Sequence, residues 1–122
     1  MKVIIAGGRN FDSYIQLKNK MDFFFKVGEE KEIKVCDITI VSGKARGADR
    51  MGEMYASSRG IHVDEYPAEW DKYGKSAGYI RNEQMAKNAT HCVVFWDGVS
   101  RGSKHMIDLA TKSKLDLRVV RY

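Results

Sequence analysis

The chain has 122 residues, 43% of them hydrophobic and 30% charged, with 21 Lys and Arg against 16 Asp and Glu for a net charge of +5. That length and apolar content suit one domain, residues 1–122, with its own core, and exclude a disordered chain or a scaffold that needs metal or disulfide staples. No apolar run approaches the roughly 20 residues that cross a bilayer, and Val3-Ile4-Ile5-Ala6 is too short for a signal-peptide core, so a cytoplasmic protein without a membrane partner is expected.

Lys2 to Ala6 reads as the first strand, apolar nearly throughout, as expected when both faces of a sheet are covered. Gly7-Gly8-Arg9-Asn10 follows at once. It lacks the third glycine of the dinucleotide fingerprint and reads either as a close backbone approach to a ligand or as a tight turn. Asp12 or Ser13 can cap a helix reaching about Val27, in which Tyr14, Ile15, Leu17, Met21, Phe24, Phe25 and Val27 recur at broadly helical spacing. Gly28 to Lys34 is a charged connection, and Asp37 to Val41 reads as the second strand. A glycine-bracketed basic loop, Ser42 to Gly47, leads into a helix over Ala48–Arg59, with Gly60 as its stop. Strand, Gly-rich turn and helix in that order bring free N–H groups and a positive helix end to one point, which attracts phosphate. An ordinary βα turn with exposed basic residues is the plain alternative.

Ile61 to Tyr66 reads as the third strand, ended by Pro67. The loop Ala68–Ser76 carries Trp70 and Tyr73, which can stack on a base or cover the core. Its Glu69 and Asp71, with Glu83 in the next helix, are the candidate catalytic acids or bases. The helix from about Ala77 to Asn88 places Arg81 and Asn82 near its start. A cation there opposes the helix dipole, so Arg81 calls for an anion or carboxylate in front of it. His91 to Trp96 is the fourth and most hydrophobic strand. Gly102 to Ser113 is the last helix, with Gly102 and Ser103 where its N-terminus can hold phosphate. Leu117 to Val120 closes the sequence of elements. Cys36 and Cys92 have no companion at metal-ligand spacing, so structural thiols are expected, with neither a metal site nor a cofactor.

This alternation predicts an α/β, Rossmann-like three-layer fold with about five parallel strands, helices on both faces and right-handed crossovers. Ligands of such sheets bind beyond the carboxyl ends of the strands. The loops at that edge are net basic but carry carboxylates as well, a mixture that suits a nucleotide better than bare phosphate.

Four stretches together resemble the SLOG superfamily, the Rossmann-like group that includes the LOG and DprA/Smf proteins, and most of all its small YspA-type branch. They are Gly-Gly-Arg-Asn-Phe from Gly7, Val-Ser-Gly-Lys-Ala-Arg-Gly-Ala-Asp from Val41, Ala-Gly-Tyr-Ile-Arg-Asn-Glu-Gln-Met from Ala77, and Gly-Val-Ser-Arg-Gly-Ser-Lys-His-Met from Gly98. The resemblance implies a nucleotide-derived ligand and a homo-oligomer. It implies a binding site made of Gly7, Gly8 and Arg9, then Ser42, Gly43, Gly47 and Asp49, then Arg81 and Asn82, then Gly102 and Ser103, to which the basic Arg46 adds charge for a phosphate. A ligand-sensing or sequestering role is the first expectation. LOG-type enzymes cleave the N-glycosidic bond of nucleoside monophosphates, which makes such an N-glycosidase or phosphoribohydrolase the enzymatic alternative. Their last loop ends in a Glu where this chain has Met106. DNA-processing protein A has a loop like Ser42–Asp49 and binds single-stranded DNA, so weak single-stranded DNA binding is the third expectation.

Overall fold

β1 (Lys2–Gly7) lies at the centre of the sheet, and its alternation sorts the core: Val3 and Ile5 point to one face, Ile4 and Ala6 to the other. The computed structural model describes residues 1–122. Five strands form one sheet in the order β3-β2-β1-β4-β5. The others are β2 (Thr39–Ser42), β3 (His62–Glu65), β4 (His91–Trp96) and β5 (Asp116–Arg121), and every pairing is parallel. This is the expected α/β, Rossmann-like three-layer fold.

The helices are α1 (Tyr14–Phe24), α2 (Ala48–Arg59), α3 (Trp70–Tyr73), α4 (Ala77–Lys87) and α5 (Arg101–Lys112). Leu17 and Met21 of α1 and Ala48, Tyr55 and Ala56 of α2 pack with Val3, Ile5, Val93 and Phe95 on one face. Met85 and Ala86 of α4 and Met106 and Ala110 of α5 pack with Ile4, Val41 and Val94 on the other. No helix is long and apolar enough to cross a membrane.

Element ends differ from the expectation where local geometry intervenes. Ser13 caps α1, its hydroxyl accepting from the Gln16 N–H at 3.2 Å. The helix stops at Phe24 rather than Val27, and Lys26 just beyond takes a left-handed φ of 57°. Val35–Asp37 winds into a single 3-10 turn, so β2 starts at Thr39 instead of Asp37. The stretch 68–76 contains the helical turn α3 and a further 3-10 turn over Gly74–Ser76. Gly60 ends α2 in the left-handed conformation, with its N–H directed at the carbonyls of Ala56 and Ser57.

β1 and β4 are neighbours although β2 and β3 intervene in the sequence. The strand order reverses there, and the loops leaving the two strands diverge to opposite sides and open a crevice.

Candidate functional site

The crevice is a cleft of about 390 Å³ at the carboxyl edge of the sheet. Its floor is the turn after β1. The Gly8 N–H donates to the Phe95 carbonyl at 3.0 Å, which ties this turn to β4. A Cβ on Gly7 would overlap the same carbonyl, so the strands approach this closely only because Gly7 has none.

The loop after β2 forms one wall. Its Ser42 is fully buried; the hydroxyl donates to Glu53 at 2.8 Å and accepts from the Lys44 N–H at 3.2 Å. Gly47 (φ 77°) packs on the Gly8–Arg9 backbone, and the first amide of α2, Ala48 N–H, donates to the Gly8 carbonyl at 3.3 Å. Ser42 therefore ties its own loop to α2, Gly47 joins that loop to the turn after β1, and neither lines the cleft. Asp49 does line it, only 4% exposed. Burial pushes its carboxyl up to about 6, against the opposing pull of Arg81 and the amides of Ala45 and Gly43.

α4 supplies the clamp. The Arg81 Nη1 donates to the Gly43 carbonyl, and its Nε donates to Asn82 Oδ1 at 3.0 Å. Burial lowers the Arg81 pKa, partly offset by attraction to Asp49, while the nearby Arg9 lowers it further. A Cβ on Gly43 would meet Arg81 Nη1 at 2.6 Å and Asp49 Oδ2 at 2.8 Å, so the guanidinium and carboxylate crowd the same bare backbone. The buried Asn82 amide reaches the Gly102 carbonyl at 3.5 Å and His105 Nδ1 at 3.3 Å. An amide nitrogen can only donate, so Nδ1 is the accepting atom of this contact. Arg81 and Asn82 thus connect the loop after β2 to the start of α5.

The loop after β4 closes the other side. Asp97 accepts from the Val99 and Ser100 amides, both at 2.8 Å, and these bonds hold its carboxyl below the ordinary range. They set the entry of α5, whose Arg101, Gly102 and Ser103 amides have no acceptor; the first helical bond runs from Lys104 N–H to the Ser100 carbonyl at 3.1 Å. Ser100, Gly102 and the 4%-exposed Ser103 line the cleft.

Of the residues expected from sequence, the cleft gathers Gly7, Gly8, Arg9, Asp49, Arg81, Asn82, Gly102 and Ser103. Gly43 and Arg46 line an adjoining basin of about 380 Å³ that shares Arg9, Ala45, Trp70 and Arg81 with the cleft. The three catalytic candidates lie outside both. Glu69 and Asp71 are exposed at the start of α3, and Glu83 is exposed one position beyond the inward-facing Asn82, which turns it to another side of α4. The carboxylates that do face the cleft are Asp49 and Asp97. No group of three or more His, Cys, Asp or Glu is arranged to hold a metal ion. The Cys92 thiol is buried and pushed up to about 12, an inert core group.

The sequence reading missed Tyr122 altogether. Its ring meets Phe11 edge-on at 4.8 Å and its hydroxyl occupies the space a Gly8 side chain would take. The one available signal was an aromatic residue directly after a strand, on the carboxyl side where such sheets bind ligands. Tyr79 also lines the cleft, its ring edge-on to His105 at 4.6 Å.

The family model described as "YspA, cpYpsA-related SLOG family" matches residues 1–73, the span from β1 through α3. The chain is 29% identical over 118 residues to the Gene 61 protein of Mycobacterium phage D29, covering 92% of this chain and 90% of that relative. No solved structure matches.

Proposed function

Since the chain belongs to the YspA, cpYpsA-related SLOG family, we propose that its cleft binds a nucleotide or nucleotide-derived ligand, in a sensing or sequestering role. The amino end of α5 carries this reading. Three consecutive amides without acceptors, those of Arg101, Gly102 and Ser103, open beside the Ser100 and Ser103 hydroxyls at the positive end of a 12-residue helix. Such an end holds a phosphate through backbone donors and the helix dipole together. Arg9 and Arg81 add charge from across the cleft, and Asp97, Asn82 and Tyr122 provide hydrogen-bonding groups for a nucleoside. A volume of about 390 Å³ falls in the usual range for a small-molecule site.

Mass spectrometry of small molecules released from the purified, denatured protein tests this directly. A nucleotide-containing species is expected, with a raised melting temperature when nucleoside mono- or diphosphates are added back. Absence of both responses would overturn the reading.

N-glycosidic hydrolysis ranks second. Glu69, Asp71 and Glu83 stand outside the cleft, and its wall includes the apolar Met106 where LOG-type enzymes carry their Glu. Release of free base from a nucleoside monophosphate would promote it. A homo-oligomer remains our expectation; Ile15 and Phe23 of α1, each 72% exposed, supply apolar surface for it, and light scattering reports the state.

A further inference from the structure

The cleft and its neighbouring basin differ in charge. The cleft mixes Arg9, Lys75 and Arg81 with Asp49 and Asp97. The basin is bordered by Arg9, Lys44, Arg46 and Arg81 and by no carboxylate. Its cations are not equally committed. The Lys44 ammonium is held by Glu53 at 2.8 Å and Glu65 at 3.3 Å, and Arg81 is engaged by Gly43, Asn82 and the field of Asp49. Arg9 and Arg46 are exposed and make no hydrogen bond or ion pair through their side chains. Two unpartnered guanidiniums beside a third, partly desolvated one leave an excess of positive charge that the protein itself does not neutralise.

The two places are also separate. The α5 amides follow β4 and the basin follows β2, and these strands flank β1 on opposite sides. The two strands themselves lie two strand spacings, about 10 Å, apart. Trp70, 50% exposed, borders both chambers.

We propose that the ligand carries two separated anionic groups, one at the α5 amides and one in the basin beside Arg9 and Arg46, with its nucleoside against Trp70: the class is a nucleoside bisphosphate or a dinucleotide rather than a monophosphate. The proposal rests on the nucleotide reading of the cleft. Adjacent phosphates of a nucleoside diphosphate share a bridging oxygen and lie too close together to fill both places. Phosphates on the 3′ and 5′ positions of a ribose, or on successive nucleotides of a phosphodiester-linked dinucleotide, are set apart. Each guanidinium offers the fork of donors that suits a phosphate oxygen pair.

Isothermal titration of the full chain with AMP, ADP and adenosine 3′,5′-bisphosphate, at about 0.15 M salt, tests it. The bisphosphate is expected to bind about tenfold or more tightly than AMP, with ADP close to AMP. Arg46→Gln should reduce the bisphosphate-to-AMP ratio towards one, and Arg46→Lys should restore part of it; Arg46 is exposed and has no partner in the fold, so both variants fold. Ser103→Ala should weaken both ligands together. Equal affinities for AMP and bisphosphate, or a ratio unchanged by Arg46→Gln, would overturn this inference and leave the nucleotide reading standing. No binding of any of the three would overturn both. An oligodeoxythymidine that binds more tightly than the bisphosphate would make the basin a strand channel and refute the small-ligand assignment.

Discussion

Three glycines of the site are needed for different reasons, and single substitutions separate them. At Gly47 a Cβ would overlap the Gly8 carbonyl, a backbone atom that cannot move alone, and φ is 77°. Gly47→Ala should cost about 2 kcal/mol or more in urea unfolding, from strain and overpacking together. At Gly8 the obstacle is the Tyr122 hydroxyl, the far end of a 42%-exposed side chain that can swing aside. Gly8→Ala should therefore change stability by less than about 1 kcal/mol while filling the cleft floor and weakening nucleotide binding. Gly43 stands between these cases, since Arg81 and Asp49 both crowd it. Asp49 itself makes a pH prediction. Its folded pKa of about 6 lies above the ordinary 3.8, so the native state holds the proton more tightly than the unfolded chain. Its contribution to stability is then greatest at low pH and falls as pH rises from about 4 through 6, by an amount on the order of 3 kcal/mol. Asp49→Asn should remove that falling limb from the pH profile, read as urea midpoints at pH 4.5 and 7.5.

Among the elements, α5 and α4 divide the work of presenting donors and holding them in place. Ser103→Ala removes a buried hydroxyl whose one partner is the Ser100 hydroxyl at 3.3 Å. The melting temperature of the free protein should shift by only a few degrees, while stabilisation by AMP falls clearly. Arg81 behaves otherwise. Read from sequence, a cation near a helix start calls for a bound anion or a carboxylate of the protein; in the fold it already has the Gly43 carbonyl, Asn82 and the field of Asp49. Arg81→Ala should destabilise the free protein by about 1–3 kcal/mol, because a buried carboxylate loses its compensating charge. It should also raise the Asp49 pKa further, a shift measurable by carboxyl NMR titration.

Over the whole molecule the net charge is +5, and at the carboxyl edge of the sheet the basin is bordered by cations without acids while the neighbouring cleft carries both. Single-stranded DNA is expected to bind weakly and to lose affinity steeply with salt, since a short row of guanidiniums provides mainly phosphate attraction. Fluorescence anisotropy across a salt series checks this. Tight binding at physiological salt that is lost in Trp70→Ala would show base stacking and reverse the order of the functional readings.

Strand and helix order were legible in the chain because hydrophobic periodicity is a local property. Val3–Ala6 and His91–Trp96 are apolar enough to require cover on both faces, and such strands alternating with helices leave little besides a parallel three-layer sheet. The glycine loops also announced themselves, since a residue without a Cβ at the end of a strand marks close approach. Burial direction was not legible. Glu69, Asp71 and Glu83 carry the same chemistry as Asp49 and Asp97, and only the packing of α3, α4 and the loops turned the first three to solvent and the other two to the cleft. Likewise Ser42 turned to Glu53 of α2, Gly47 packed on the turn after β1, and Tyr122 entered the site from the far side of β4. Such outcomes depend on contacts between residues far apart in the chain, and those contacts exist only once the sheet has brought its strand ends together.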